Sequence, residues 1–411
     1  MKTYLVGGAV RDRLLGIEPL ERDWVVVGAT ESEMLARGFR RVGRDFPVFL
    51  DPRTGDQHAL ARRERKSGHG YAGFAFEVDG GVSLEDDLGR RDLTINAIAE
   101  DQDGTLIDPH GGQADLERGL LRHVSDAFVE DPLRVLRVAR FAARFASRGF
   151  TVAPETLALM RAIAASGELD HLVAERVWEE TRRALGEARP DVYFATLRAC
   201  GALGTVFPEI ERLFGVPQSP QHHPEIDTGI HVLLCLQLAA RLELAPIARF
   251  ALLTHDLGKA LTPAAKWPSH IGHEALGADA VRALCARLRV PVKWRELALL
   301  ACLHHTRCHR ALEMRAPAIV SLLEDLDAMR NNERFEQFLG ACEADARGRT
   351  GLEDEPYPQA ARLRQTCAAA ATVTSAAALA KGLSGPQVGA EMHRLRCVEV
   401  ARMLQQQTEP T

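Results

Sequence analysis

The residue pattern changes character once, near Glu130, and that change limits the folds open to the chain. Before it, short strand-like runs alternate with short helical stretches. Leu5-Val6 breaks at Gly7-Gly8, a helical pattern covers Ala9 to Leu15, and Asp23-Trp24-Val25-Val26-Val27 closes on Gly28. Phe46 to Leu50 and His58 to Ala61 read as further strands, with Ser83 as an N-cap for Leu84 to Leu88. After Glu130, helical periodicity continues to the C-terminus, broken at Gly149, Gly167, Pro190, Pro208 and through Gly215–Pro224. The predicted class is therefore α+β, a small N-terminal α/β part followed by helices. The breaks divide it into residues 1–129, 130–220, 228–329 and 330–411, with Gly215–Pro224 as linker and helix from Ala368 to Lys381. A chain of 411 residues is expected to hold two to four domains, because single cores stop growing well below that length.

Gly7-Gly8 follows a strand and opens a helix, which turns backbone N–H groups toward any anion placed there. Arg11, one turn further on, reaches the same space. Glu21 and Asp23 stand at the mouth of the next strand, and residues two apart on a strand share a face. Two adjacent carboxylates repel unless a cation lies between them, and Mg²⁺ suits an all-oxygen site completed by a triphosphate. Taken alone, the first feature reads more simply as a turn and the second as a solvated charge cluster; it is their pairing that points to a triphosphate site.

Leu5-Val6-Gly7-Gly8-Ala9-Val10-Arg11-Asp12 with Arg22-Asp23-Trp24-Val25 resembles the polymerase-β-type nucleotidyltransferase superfamily. Arg90-Arg91-Asp92-Leu93-Thr94-Ile95-Asn96-Ala97 and Glu130-Asp131-Pro132-Leu133-Arg134 narrow the resemblance to the class II CCA-adding enzymes, over about residues 1–210. It implies a polymerase-β-type α/β head on an all-α neck. It also implies template-independent addition and repair of the CCA end of tRNA from CTP and ATP, with pyrophosphate released. Glu21 and Asp23 would then be the catalytic carboxylates that hold Mg²⁺. Gly8, Arg11, Arg91, Asp131, Arg134, Arg137 and Arg140 would surround the nucleotide. Two departures stand out: the family usually has Asp-x-Asp where this chain has Glu21-x-Asp23, and Gln57 stands near the place of a third carboxylate, with Asp56 and Glu64 as neighbours.

Arg134, Arg137, Arg140, Arg144 and Arg148 recur every three or four residues and share about a third of one helix circumference. No carboxylate interrupts them, so the face reads as a phosphate-binding surface or as a solvated cationic one. Asp131 and Arg134 are three apart, which places them on one side of a helix. Cytosine and adenine each present an exocyclic amine beside an unprotonated ring nitrogen, which a carboxylate and a guanidinium match. Guanine and uracil present the opposite edge, leaving buried polar groups unpaired at about 1–3 kcal/mol each.

Histidines cluster further on: His231, His255-Asp256, His270, His273-Glu274 and His304-His305. A lone helical histidine is ordinarily structural, but this series resembles an HD phosphohydrolase domain over about residues 228–329. The resemblance implies a metal site of His231, His255, Asp256, His273 and His305, with Asp345 as a weaker closing ligand. Imidazole-rich ligation favours Ni²⁺, Mn²⁺ or Co²⁺ over Mg²⁺. The implied activities are those of a phosphatase, 2′-nucleotidase and 2′,3′-cyclic phosphodiesterase.

The net charge of −5 excludes indiscriminate nucleic-acid binding, so an RNA partner needs a local surface. No apolar run of about 18 residues is present, and no signal-peptide pattern opens the chain, so a cytoplasmic protein without a membrane partner is expected. Eight cysteines without a CxxC pair read as reduced thiols. A monomer is expected, with a dimer as the alternative. Three rival functions remain: a poly(A) polymerase, an A-adding enzyme, and a tRNA-binding protein with a decayed transferase site. The polar Gln405-Gln406-Gln407 ending is unlike the basic extension of the first.

Overall fold

The computed structural model describes residues 1–19, 21–42, 48–66, 74–77 and 81–406, with side chains left undescribed at 63–66 and 74–77. Two compact units divide the chain, Met1–Val206 and Phe207–Thr411.

The first unit opens with β1 (Lys2–Val6), α1 (Gly8–Leu14), β2 (Asp23–Val27), α2 (Glu31–Ala36), β3 (Arg40–Val42), β4 (Val48–Leu50) and β5 (Gln57–Leu60). A separate hairpin follows, β6 (Arg63–Lys66) with β7 (Phe74–Glu77). Next come α3 (Leu84–Gly89), β8 (Ala99–Glu100), β9 (Leu106–Ile107) and α4 (Gly112–Arg118). The main sheet runs β3-β4-β5-β2-β1-β8-β9, with β2 and β5 parallel. Alternation along β2 sorts its two faces. Val25 packs with Val6, Leu84 and Leu88 under α3, whereas Val26 packs with Met34, Phe49 and Leu60 under α2. Both covering helices start from capping boxes, Thr30 with Glu33 and Ser83 with Asp86. Asp23 has the parity of Val25, which puts it on the α3 face. The expected strand from Phe46 begins at Val48 among the described residues, and Phe46 and Pro47 lie outside them. Helices α5 (Leu133–Phe145), α6 (Pro154–Ala165), α7 (Ala174–Gly186), α8 (Pro190–Ala199) and α9 (Leu203–Val206) complete the unit, with α5 packed on α7 and α8.

The second unit is helical: α10 (Pro208–Glu211), α11 (Thr228–Arg241), α12 (Pro246–Thr254), α13 (His273–Arg287), α14 (Val292–His309), α15 (Ala316–Asp325), α16 (Asn332–Arg347), α17 (Pro358–Ala371), α18 (Ala376–Leu379) and α19 (Pro386–Gln406). Cys235, Ala239, Leu252, Ala341 and Ala344 form a core between α11, α12 and α16. The cysteines are all free thiols, six of them buried. Among the described residues no helix is long and apolar enough to cross a membrane.

Two sequence expectations are corrected here. The Gly215–Pro224 stretch, expected as a linker between domains, lies inside the second unit and is partly packed. Pro217 bridges Asp227, and Gln218 is buried with its Oε1 accepting from Lys259 Nζ. Helix across Ala368–Lys381 is also broken. Thr372 turns its hydroxyl back to donate to Ala369 O, and the β-branched pair Val373-Thr374 follows before α18 begins.

Candidate functional sites

In the first unit, Gly7 holds φ +67° as it turns β1 into α1, and a Cβ there would come 2.8 Å from Arg91 Nη1. Arg91 thus lies directly over the Gly-Gly turn. Its Nη2 donates to Asp87 Oδ2 and its Nη1 to Asn96 O, while its buried Nε makes no hydrogen bond. Asp23 is accessible to solvent yet crowded by protein. Burial raises its pKa, Arg91 opposes the rise and Glu21 adds to it. Glu21 precedes the first strand residue and is exposed. Gln57 pairs in register with Asp23, so an amide stands directly across from that carboxylate. Asp56 accepts from Trp24 Nε1 at 3.1 Å, and the Glu64 side chain lies outside the described residues.

Arg11 reaches back to the Gly8 side of the turn. Its guanidinium is buried against the rings of Phe141 and Phe145, donating to Asp12 and Asn96. Gly8 stands next to it, with an added Cβ 3.5 Å from Arg11 Nη2.

The arginine face of α5 differs from expectation in one respect. Carboxylates interleave with it, but they come from distant parts of the chain. Arg137 pairs with Asp92 at 2.7 Å, Arg140 with Glu180 at 2.6 Å and Arg144 with Asp12 at 2.9 Å. Arg148 donates to Leu15 O. Despite its burial, Asp92 stays well below the usual carboxylate range because Arg137 and Asn96 stabilise its charge. The face is therefore not bare: its ion pairs tie α5 to the head and to α7, while Arg148 at its end is exposed.

Asp131 is also placed differently from the sequence expectation. It lies in extended backbone before α5 and not on the helix, because Pro132 starts the turn. Its carboxylate accepts from Leu133 N and is paired with Arg176 at 2.9 Å. Arg134 N still donates to Asp131 O, which keeps the two residues adjacent. The buried Arg134 guanidinium donates to Ala127 O and Arg90 O at 2.6 Å each. Arg176 and Glu180 went unassigned from sequence. The only signal was the charge density of Glu175-Arg176 and Glu179-Glu180, which names no partner.

In the second unit the histidines converge. His255 Nδ1 lies 2.6 Å from Leu252 O, His273 Nδ1 3.1 Å from His270 O, and His305 Nδ1 2.9 Å from Ala301 O. His231 Nδ1 lies 2.9 Å from Glu225 Oε1. Each contact calls for a protonated Nδ1, so all four rings present Nε2 to the centre, the arrangement a metal-binding imidazole needs. Asp345, beyond the expected segment 228–329, supplies Oδ1 at 3.0 Å from His231 Nε2 and 3.5 Å from His255 Nε2. His309 braces its other oxygen at 2.7 Å. Asp256 stands between His255, His273, His305 and the Lys259 ammonium.

His270 does not join the centre; its ring nitrogens are taken by Thr262 and Pro217 O. His304 lies beside Arg307. Packing brings the centre together at Gly258, where a Cβ would fall 1.9 Å from His273 O.

Electrostatics favour a cation there. Burial alone would lower the pKa of His255, but Asp256 and Asp345 outweigh it and push it up to about 10. Burial would raise Asp256, yet His255 and Lys259 hold it well below the carboxylate range. Burial and the charge on His255 bring His305 down to about 3, leaving it neutral. His255 Nε2 and both Asp256 oxygens are buried without a hydrogen bond, and a bound cation would satisfy all three.

Three segments of the chain match described families: the Poly A polymerase head domain at residues 3–122, the "probable RNA and SrmB- binding site of polymerase A" at 149–214, and the HD domain at 228–337. The chain is 58% identical to the multifunctional CCA protein of Hahella chejuensis, covering 98% of this chain and 96% of that one. It is 60% identical to that of Thioalkalivibrio sulfidiphilus, covering 96% and 97%. Among solved structures it resembles the Thermotoga maritima CCA-adding enzyme complexed with tRNA, with TM-score 0.62, 19% identity, and 97% of this chain and 87% of that one covered. An apo CCA-adding enzyme gives TM-score 0.66 at 19% identity, covering 97% and 88%. At those identities the structural likeness speaks for the fold alone.

Proposed function

The chain belongs to the multifunctional CCA protein family, and from that premise we propose that it adds and repairs the CCA end of tRNA from CTP and ATP and hydrolyses phosphate esters at its histidine-rich centre. The observation that carries the first activity is the Glu21–Asp23 carboxylate pair facing Arg91, with burial and mutual repulsion raising Asp23. Such a pair fits Mg²⁺, which when bound supplies charge neutralisation for the triphosphate and the attacking 3′-hydroxyl. Gly8 and Arg91 receive the phosphates, with Arg91 held over the turn by Asp87 and Asn96 O. Asp92 and Glu180 fix Arg137 and Arg140 before the nucleotide arrives, so their charge needs no reorganisation. Arg11 acts from beneath, holding Asn96 and the turn.

Selection of C and A falls to Asp131 and Arg134. Arg176 and Leu133 N clamp the carboxylate, and two carbonyls clamp the guanidinium. A rigid acceptor beside a rigid donor reads the shared edge of the two bases without a nucleic-acid template.

In the second unit His231, His255, Asp256, His273 and His305, joined by Asp345, hold a transition metal: Ni²⁺, Mn²⁺ or Co²⁺ by the nitrogen-rich donor set. The metal supplies Lewis acidity for attack on a phosphate ester. Lys259 and Arg349 add positive charge beside the two aspartates. We place the protein in the cytoplasm as a monomer, in keeping with its free thiols and its tRNA substrate.

The test is incubation of tRNA lacking its CCA end with each labelled nucleotide alone and then in pairs. Two C additions from CTP alone, and completion only when ATP joins, are expected. A long A tract from ATP alone would make the chain a poly(A) polymerase. Hydrolysis of a 2′,3′-cyclic nucleotide by metal-stripped protein should return with Ni²⁺, Mn²⁺ or Co²⁺.

A further inference from the structure

We propose that Gln218 is a substrate-binding residue of the second unit, its side-chain amide donating, together with the Lys259 ammonium, to the non-bridging oxygens of a phosphate ester. The inference rests on reading the histidine-rich centre as a phosphohydrolase site, and it adds a residue that lies outside the HD match at 228–337. It starts from an orphaned donor. Gln218 is 2% exposed, and its Nε2 is buried with no hydrogen-bond partner. A buried N–H left unmet is costly, so such an atom calls for an occupant.

Turning the amide around does not remove the orphan. Lys259 Nζ donates to Gln218 Oε1, and an ammonium can only donate, so the oxygen must face Lys259 and the NH2 takes the other branch. The same ammonium lies 2.7 Å from Asp256 Oδ2. Two of its three protons are thereby used and one is left. An amide donor and an ammonium donor consequently stand side by side, next to the Asp256 carboxylate. The group that fits such a pair is an anion with adjacent acceptor oxygens, which is what a phosphate ester offers.

Exposure marks the same side as the way in. The side chains of His231, His255, Asp256 and Asp345 are at most 4% exposed, whereas Lys259 and His223 reach 11% and 12%. Solvent therefore approaches the centre past the residue that Gln218 touches. The backbone around Gln218 is fixed on both sides. Gln218 N donates to Ile226 O at 2.7 Å, Pro217 O lies 2.8 Å from His270 Nε2, and the Thr228 amide and hydroxyl both donate to Val216 O. An amide held this way needs little ordering when a ligand arrives.

The experiment uses the full-length, Co²⁺-loaded protein with inorganic phosphate as the probe, and Gln218→Glu is the deciding variant. Glu keeps an oxygen for Lys259 but puts a second oxygen where the N–H stood. A residue that merely holds Lys259 survives that change, and a phosphate donor does not. Calorimetry should show phosphate affinity falling about ten- to a hundredfold, as expected for a lost hydrogen bond to a charged group. KM for a 2′,3′-cyclic nucleotide should rise by a similar factor. Co²⁺ affinity read from the d–d absorption, the melting temperature and CCA addition should stay at the parent values. Gln218→Met, which lacks both amide atoms, should show the same loss and decides the matter if the Glu variant fails to fold. Phosphate affinity and KM within about twofold of the parent, too little for a lost hydrogen bond, overturn the proposal. So does a loss that tracks weakened Co²⁺ binding, because Gln218 would then act on the metal ligands. A parent that binds no Co²⁺ or hydrolyses no ester would instead overturn the phosphohydrolase reading itself.

Discussion

Replacing Gly258 with Ala tests how closely α13 must approach Asp256. The new Cβ would fall 1.9 Å from His273 O and 2.6 Å from Gly277 N, whereas real Cβ contacts essentially never drop below 3.0 Å. The obstacle is helix backbone and not the end of a flexible side chain, so His273 must retreat by about 1.1 Å, the difference between 3.0 and 1.9. A retreat directed away from Asp256 would carry the present 3.4 Å between His273 Nε2 and Asp256 Oδ1 to about 4.5 Å. Two ligands of one ion cannot be further apart than twice the metal–ligand distance, about 4.2 Å, so no ion touches both. Overpacking of this kind costs about 1–3 kcal/mol. At roughly 2–4 °C per kcal/mol for a unit of this size, the melting temperature should fall by about 2–12 °C. The assays are thermal unfolding and metal-dependent hydrolysis of a 2′,3′-cyclic nucleotide, with CCA addition measured beside them. Hydrolysis should collapse and addition persist. Gly389→Ala is the control, since nothing lies within 4 Å of its added Cβ in α19. If Gly258→Ala keeps hydrolysis within twofold and melts within about a degree of the parent, the contact does not position the metal ligands.

Three other outcomes are expected. Asp23→Ala should abolish nucleotide addition and spare ester hydrolysis; in the parent, Mg²⁺ affinity should weaken as pH falls, because protons compete for a carboxyl whose pKa is raised above the ordinary value. A titration of Mg²⁺ dependence against pH checks the second part, and no weakening down to the ordinary carboxylate range contradicts it. Arg134→Lys, which keeps the charge but loses the planar fork, should cut the preference for CTP and ATP over UTP and GTP by about ten- to a hundredfold, measured as kcat/KM for all four. Equal slowing of all four would make Arg134 structural. In the metal-free protein His255 titrates near pH 10, so binding of Co²⁺ between about pH 7 and 9 should release a proton, seen as a buffer-dependent enthalpy in calorimetry. Its charge likewise stabilises the metal-free fold fully below about pH 6.5, and that contribution is lost as pH rises through about 10.

What was legible from sequence was local. The Gly7-Gly8 turn, the Asp23–Val27 strand and the Ser83 cap each rest on a few adjacent residues, and the structure forms all three. The arginine spacing was equally local, but its partners were not. Arg140 meets a carboxylate 40 positions away and Arg144 one 132 positions away, so a face without neighbouring carboxylates read as bare. Asp345 presents the same difficulty, standing 114 positions from His231 on a helix of ordinary composition. The Gly215–Pro224 stretch, expected to separate two domains, instead lies within the second unit. Pro, Gln and His mark a loop correctly, but composition does not reveal that Gln218 and His223 are packed against Lys259 and His231.

The carboxylate partners of α5 also bear on how the protein meets RNA. A cation that neutralises a backbone phosphate displaces condensed counterions, and each such contact steepens the fall of log affinity with log salt by roughly 0.7–0.9. Arg137, Arg140 and Arg144 are already neutralised by Asp92, Glu180 and Asp12 of the same chain, so they have little charge left to exchange for counterions. On the proposed reading, in which Asp131 and Arg134 choose the base, these three arginines should contribute little to the ionic-strength dependence of tRNA binding. That reading uncouples fidelity from grip: added salt should loosen the hold on the polyanion without blurring which nucleotide is accepted.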